Sequence, residues 1–153
     1  MLEKSLSDQF DQTFNMYQLW KPSERTAGWP DRGIQLHNSV MIWVELKMTT
    51  LRIDNKILVN NFEKEQAAFM FKWQRSAGFC FLLVGVLDRK RNIDCYGIIR
   101  PVFYNGWLKV RQTLYTKLDL LFYTGEFDKI LLWFRSVYIR QDKYIRSYIR
   151  DAQ

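Results

Sequence analysis

Asp31 and Glu45 are the side chains whose types and spacing first suggest chemistry. They stand fourteen positions apart, in Gly-Trp-Pro-Asp-Arg (28–32) and Trp-Val-Glu-Leu-Lys (43–47). Between them, His37-Asn38-Ser39 is turn-forming, and the residues on either side are β-prone. A three-residue loop at 37–39 would set Leu36 opposite Val40, Ile34 opposite Ile42 and Asp31 opposite Glu45. Directly opposed residues share a sheet face, with Cβ atoms about 4.5–5.5 Å apart. Two carboxylates placed that way repel, so the arrangement asks for a cation. Lys47 falls on the same face, because a strand repeats its facing every two residues. Two carboxylates and an ammonium on one patch suit a magnesium site for phosphodiester cleavage. The chemistry depends on register: a slip of one residue would turn Asp31 to the opposite face.

Other elements must hold this patch in place. Residues 1–19 read as a helix, with Leu2, Leu6, Phe10, Phe14 and Tyr17 near a 3.6 period, and Pro22 at or after its end. The loop 22–27 then leads to the first strand of the hairpin. On the second strand Ile42, Val44 and Leu46 form the face opposite Glu45 and Lys47. Trp43 shares the site face, where it either walls the site or packs under a helix. Residues 48–59 read as a small hairpin around Asp54-Asn55. Asn60 and Glu63 have capping-box-like spacing for a helix running to Ala77. On that helix Phe62, Gln66, Phe69, Trp73 and Ala77 share one face, and Gln66 is its polar member. A buried amide needs hydrogen-bond partners, which a catalytic side chain would supply; the alternative is a half-exposed glutamine in the first turn.

Farther on, strands 79–87 and 93–100 flank a tight turn, Asp88-Arg89-Lys90-Arg91-Asn92. The run 108–123 leans helical. After Thr124-Gly125 a last helix of about 25 residues is expected. Its residues Leu131, Phe134, Tyr138, Gln141, Ile145 and Tyr148 make a coiled-coil-like seam. That seam either packs on its own domain or forms a homodimer.

With these residues in place, the chain resembles the PD-(D/E)XK nuclease superfamily, in its VRR-NUC-like branch of small stand-alone phage and bacterial enzymes. The resemblance covers about residues 24–87, through Gly28, Pro30-Asp31-Arg32, Glu45-Leu46-Lys47, Gln66 and Gly78-Phe79. It implies an α/β, restriction-endonuclease-like αβββαβ core with a mixed sheet, extended by a C-terminal helical region over about 108–150. It also implies Mg²⁺ or Mn²⁺ held by Asp31, Glu45 and the main-chain carbonyl of Leu46. Lys47 would act on the attacking water or the phosphate, and Gln66 would complete the catalytic set. Family members often carry a further Glu on the first helix; Glu3 is the candidate here and Glu24 its competitor.

Composition fits a single domain over residues 1–153, with a core over about 1–100. Hydrophobic content of 48% and aromatic content of 16% argue against disorder, and Gly 7 with Pro 3 leaves no evident flexible linker. No apolar run approaches the ~20 residues of a membrane span, and no signal-peptide core is present, so a cytoplasmic setting is expected, the host's for a phage-encoded protein. Cys80 and Cys95 form neither a disulfide framework nor a zinc pattern. His37 is the only histidine, which argues against histidine-based nucleases. No Gly-rich phosphate loop appears, so no nucleotide cofactor is expected.

Net charge is +7, unevenly spread: residues 1–65 carry 8 Lys/Arg against 9 Asp/Glu, and residues 66–153 carry 15 against 7. That division suits acidic metal ligands in one half and phosphate contacts in the other. The cations expected at a DNA backbone are Arg32, Arg52, Lys56, Arg89, Lys90, Arg91, Lys143, Arg146 and Arg150; plain solvated surface charge is the alternative. The reading is a Mg²⁺-dependent endonuclease acting on branched or four-way DNA as a homodimer. Its rival is a non-catalytic nucleic-acid-binding or assembly module that keeps the same fold.

Overall fold

Apolar residues at alternate strand positions build the molecule in three layers. In the computed structural model, which describes residues 3–22, 28–36, 41–59, 63–75, 79–103 and 112–136, the chain is mixed α/β. Helix α1 (Glu3–Thr13) is followed by β1 (Gln18–Trp20), β2 (Arg32–Gln35) and β3 (Ile42–Thr50). Next come β4 (Ile57–Leu58), α2 (Lys64–Arg75), β5 (Phe79–Leu87) and β6 (Ile93–Ile99). The chain continues through β7 (Leu114–Tyr115), a 3₁₀ turn (Lys117–Asp119), β8 (Phe122–Thr124) and α3 (128–136).

Six strands form one sheet in the order β1-β2-β3-β5-β6-β8, and β4 pairs with β7 apart from it. Among the described strands, β3 and β5 run parallel and every other pair is antiparallel. A parallel pair needs a crossover, which α2 supplies. Helix, three-strand meander, crossing helix and parallel strand make up the αβββαβ core expected of a restriction-endonuclease-like fold.

Ile42, Val44 and Leu46 of β3 join Phe81, Leu83, Tyr96 and Ile98 beneath α1 and α3. From α1 come Leu6 and Phe10, with Phe14 in the turn just after it, spaced by four and fully buried; from α3 come Ile130 and Phe134. On the other face Trp43, Cys80, Leu82, Val84 and Val86 meet Met70 of α2, with Ile57 and Tyr115 from the small sheet. Both thiols are free and buried. Burial pushes each thiol pKa up, that of Cys95 to about 11, so neither is a nucleophile at neutral pH.

Two expectations are corrected. Helix α1 ends at Thr13 rather than near residue 19, and 18–20 form the edge strand β1, paired with Gln35, Ile34 and Gly33. Phe14 and Tyr17 still touch, with ring centroids 6.4 Å apart, so their spacing imitates one more helical turn. The run 108–123 is not helical where it is described. Residues 114–124 instead give β7, the 3₁₀ turn and β8, and β8 pairs with β6 at the sheet edge. The helical extension therefore starts only at 128. Leu131 and Phe134 of the expected seam pack on their own domain; Tyr138, Gln141, Ile145 and Tyr148 lie outside the described residues. No helix among the described residues is long and apolar enough to cross a membrane.

Arg32 of β2 faces α1. Its Nε donates to Asp11 Oδ1 at 2.7 Å and its Nη2 to Asp11 Oδ2 at 3.0 Å, while Lys21 Nζ lies 3.0 Å from Oδ2. Burial raises the Asp11 pKa, but the two cations outweigh it and hold the carboxyl below its usual range. The guanidinium and the carboxylate are 15% and 19% exposed, between the surface and buried limits for an ion pair. Asp11→Ala is expected to cost about 2 kcal/mol. That lowers the melting temperature by about 4–8 °C for a domain of this size. Thermal melts of Asp11→Ala, Arg32→Ala and the double variant check it, since a real pair makes the double loss smaller than the sum.

Candidate active site

Paired residues across β2 and β3 are Arg32 with Val44, Gly33 with Trp43 and Ile34 with Ile42. Continued by one step, this register sets Asp31 opposite Glu45, as the hairpin reading requires. The loop at 37–40 lies outside the described residues. Strand β2 begins at Arg32, so Leu46 of β3 has no ladder partner from β2. The Asp31 carboxylate takes that place, its Oδ2 accepting the Leu46 N–H at 2.8 Å. This contact locks the first carboxylate against the strand that carries the second.

Glu45 is 2% exposed, the buried charged residue of the described core. Lys47 Nζ stands 3.2 Å from its Oε1, and Gln66 Nε2 donates to the same oxygen at 2.8 Å. The other oxygen, Oε2, is buried without a hydrogen-bond partner. Burial, and then the neighbouring Asp31 charge, push the Glu45 carboxyl up to about 7, against the pull of Lys47.

Gln66 fixes this arrangement from the other layer. Its Oε1 accepts the Glu63 N–H at 3.3 Å while its Nε2 reaches Glu45, so both ends of the amide are set. The first contact is half of a capping box, with Glu63 just ahead of α2. Asn60, the cap expected from spacing, lies outside the described residues, and the helix starts at Lys64. A single glutamine thus caps the helix and positions the buried carboxylate.

Two glycines allow these layers to approach. Gly28, at φ +85, lies so close to α2 that a Cβ there would sit 2.7–2.8 Å from Glu65 atoms. Gly33 lies under Trp43, whose ring atoms would be 2.7–3.0 Å from such a Cβ. Trp43 is 4% exposed and meets Trp29, Phe69 and Trp73 ring to ring, so it packs under α2 beside the site.

The donor set fits a hard divalent cation. Two adjacent carboxylates, one with an unpartnered buried oxygen, match how Mg²⁺ is commonly held, by one or two carboxylates with water and substrate phosphate completing its shell. Among the described residues no group of three His, Cys, Asp or Glu side chains gathers. The Glu3 side chain, and Glu24 altogether, lie outside the described residues.

The other cations are placed differently. Arg32, expected at a DNA backbone, is paired with Asp11 of α1, which gives it a structural partner. Arg52 pairs with Asp54 at 3.3 Å in the turn after β3, and Arg89 donates to Ile53 O at 3.2 Å, so the two turns join. Lys56 belongs to the same turn, where Arg52 N–H bonds its carbonyl. Lys90 and Arg91 are exposed, and Arg91 has φ 64. Five strand positions separate these turns from Glu45, about 17 Å at 3.3 Å per residue. The structure does not bring them to the acidic pair. Lys143, Arg146 and Arg150 lie outside the described residues. Asp11, which the sequence reading did not single out, has no local signal: only the folded contact between α1 and β2 reveals its role.

No family model matches this chain, and no curated protein matches it. Among solved structures it is similar to that of Archaeoglobus fulgidus Hjc, a Holliday junction resolvase from an archaeal hyperthermophile. The identity is 9%, covering 63% of this chain and 73% of that one, with a TM-score of 0.38. An overlap of that size carries no argument about activity, which rests on the side chains around Glu45.

Proposed function

We propose that the chain is a divalent-metal-dependent nuclease that hydrolyses DNA phosphodiester bonds at Asp31, Glu45 and Lys47. The observation that carries this reading is the Glu45 carboxylate, buried near the Asp31 charge with one oxygen held by Lys47 and Gln66 and the other unpartnered. A buried carboxylate oxygen without a partner costs several kcal/mol. A purely structural site would be better served by an amide or an apolar side chain. A cation between the two carboxylates removes that cost.

When bound, Mg²⁺ or Mn²⁺ supplies positive charge at a non-bridging phosphate oxygen and lowers the pKa of a coordinated water. Asp31 and Glu45 would hold the ion. The Leu46 carbonyl leaves β3 on the same edge as its N–H, which already faces Asp31, so it is the third protein ligand in this reading. Lys47 places an ammonium beside the position where negative charge develops as water attacks phosphorus. Gln66 keeps Glu45 in one rotamer, and Trp43 excludes water from beneath it. Branched or four-way DNA is the substrate form proposed, cut by a homodimer that offers two sites.

The test is cleavage of labelled duplex, flap and four-way DNA with Mg²⁺ or Mn²⁺ and then with EDTA. Asp31→Ala is expected to lose cleavage below detection while its melting curve stays cooperative. Cleavage that survives EDTA, or survives in Asp31→Ala, overturns the assignment.

A further inference from the structure

Trp29 is two residues ahead of Asp31 and 43% exposed, yet it is held firmly. Its ring centroid is 5.2 Å from Trp43 in an edge contact and 4.9 Å from Phe69 in a tilted one. Trp43 shares the strand face of Glu45 two positions on, and Phe69 follows Gln66 by three positions on α2. Behind them Phe69 and Trp73 stack at 6.2 Å and 6°. Trp29 is therefore the outer member of an aromatic cluster whose inner members adjoin the acidic pair. Gly28 before it and Pro30 after it are both buried, so the backbone that carries the ring is anchored on each side.

We propose that Trp29 is a stacking platform for an unpaired nucleobase next to the scissile phosphate, an inference that rests on the nuclease reading of the acidic pair. Every nucleobase has a π face, and base–aromatic stacking strengthens binding about five- to a hundredfold per base, without regard to sequence. A fully paired duplex keeps its bases stacked inside and gains nothing from such a ring. Trp29 therefore selects DNA in which pairing is interrupted at the cut, as at a flap or a single-strand junction. The ring is preorganised by two aromatic neighbours, so little side-chain freedom is lost on binding. The alternative of a simple core lid leaves the exposed part of the ring without a role, whereas a base on it adds an outer layer to the aromatic cluster of Trp43, Phe69 and Trp73.

Two arms separate this proposal from the nuclease reading. In EDTA at fixed salt, fluorescence anisotropy compares a labelled duplex carrying a single-stranded thymidine tail with the same duplex fully paired. Trp29→Leu, which keeps apolar bulk without a π face, is expected to bind the tailed DNA at least about tenfold more weakly. Its affinity for the paired duplex should stay within twofold of the parent, and Trp29→Phe should keep most of the preference. A Trp29→Leu protein with a parental melting curve that binds tailed DNA normally, or weakens on both DNAs alike, overturns the proposal, as does a parent protein that shows no preference for the tail. The second arm measures cleavage of the same DNAs with Mn²⁺. A parent that binds with the predicted preference and cuts neither DNA overturns the nuclease reading while the stacking result stands.

Discussion

Glu45→Gln is expected to yield a protein that melts at a higher temperature than the parent without metal, yet cleaves DNA about a thousandfold more slowly. The two effects share one cause. The amide oxygen can occupy the Oε1 position and still accept from Lys47 and Gln66. The amide nitrogen replaces the unpartnered Oε2, so a buried charge near Asp31 disappears. Burial first and the Asp31 charge second raise the Glu45 carboxyl from 4.5 to about 7, so the fold prefers the protonated form. The stabilising contribution of a raised carboxyl is complete below its unfolded pKa and is lost as pH climbs through the folded one. Metal-free parent protein should therefore lose stability between pH 5 and pH 8, by about 3 kcal/mol for a shift of this size. Glu45→Gln should lack that loss, and thermal melts in EDTA at the two pH values compare them.

Added Mg²⁺ or Mn²⁺ should restore the parent at pH 8, because the ion favours the ionised carboxylate. It should do little for the glutamine variant, which has one anionic ligand fewer. Loss of that ligand removes several kcal/mol of transition-state stabilisation, about a thousandfold in rate at 1.4 kcal/mol per decade. A variant that melts like the parent at every pH, or cuts at the parental rate, would show Glu45 to be an ordinary core residue.

Gly28→Ala should be the most disruptive change that touches no charged group. The position has φ +85, where an alanine costs about 1–2 kcal/mol. Its Cβ would also meet Glu65 Cβ at 2.7 Å and the Glu65 carbonyl carbon and oxygen at 2.8 Å. The backbone atoms among these have no rotamer into which to move. Either the 28–31 segment or the first turn of α2 must shift, and Asp31 is on one while Gln66 is on the other. The expected loss is about 3 kcal/mol in stability and about a hundredfold in cleavage, as misplacements near 1 Å can cost that much. Gly125→Ala serves as the control, because a Cβ there meets nothing within 4 Å and should leave both measurements unchanged. Chemical denaturation and initial rates on one DNA substrate suffice. Equal losses at the two glycines would remove the close approach to α2 as the explanation.

In the proposed site the charged side chains and the residues that let the layers approach divide the work. Asp31, Glu45 and Lys47 supply charge, whereas Gly28, Gly33 and Gln66 supply closeness. Changes to the first group should alter rate more than folding. Changes to the glycines should alter both, which is the expected mark of a residue acting through geometry.

How much of this was legible in the chain differs from element to element. The pairing of Asp31 with Glu45 could be read from turn-forming residues between two β-prone flanks, because a short hairpin loop and a period of two determine register locally. The faces of β3, the core placement of Cys80 and Cys95, and strands β5 and β6 followed from the same alternation. Strand β1 could not be read, because Phe14 and Tyr17 keep helical spacing while edge pairing with β2 governs the backbone at 18–20. Strands β7 and β8 were hidden in the same way: the run 108–123 leans helical until β4 and β6 offer partners to 114–115 and 122–124.

The ion pair of Asp11 with Arg32, the bond from Gln66 to Glu45 and the contact of Gly28 with Glu65 join residues at least twenty positions apart. Local pattern alone therefore determined the carboxylate pair and its register. Tertiary structure decided that Glu45 would be buried with one oxygen unpartnered, that Arg32 would serve α1, and that Trp29 would stand at the rim. Those outcomes depend on which layer covers each face, and packing between distant segments sets that cover.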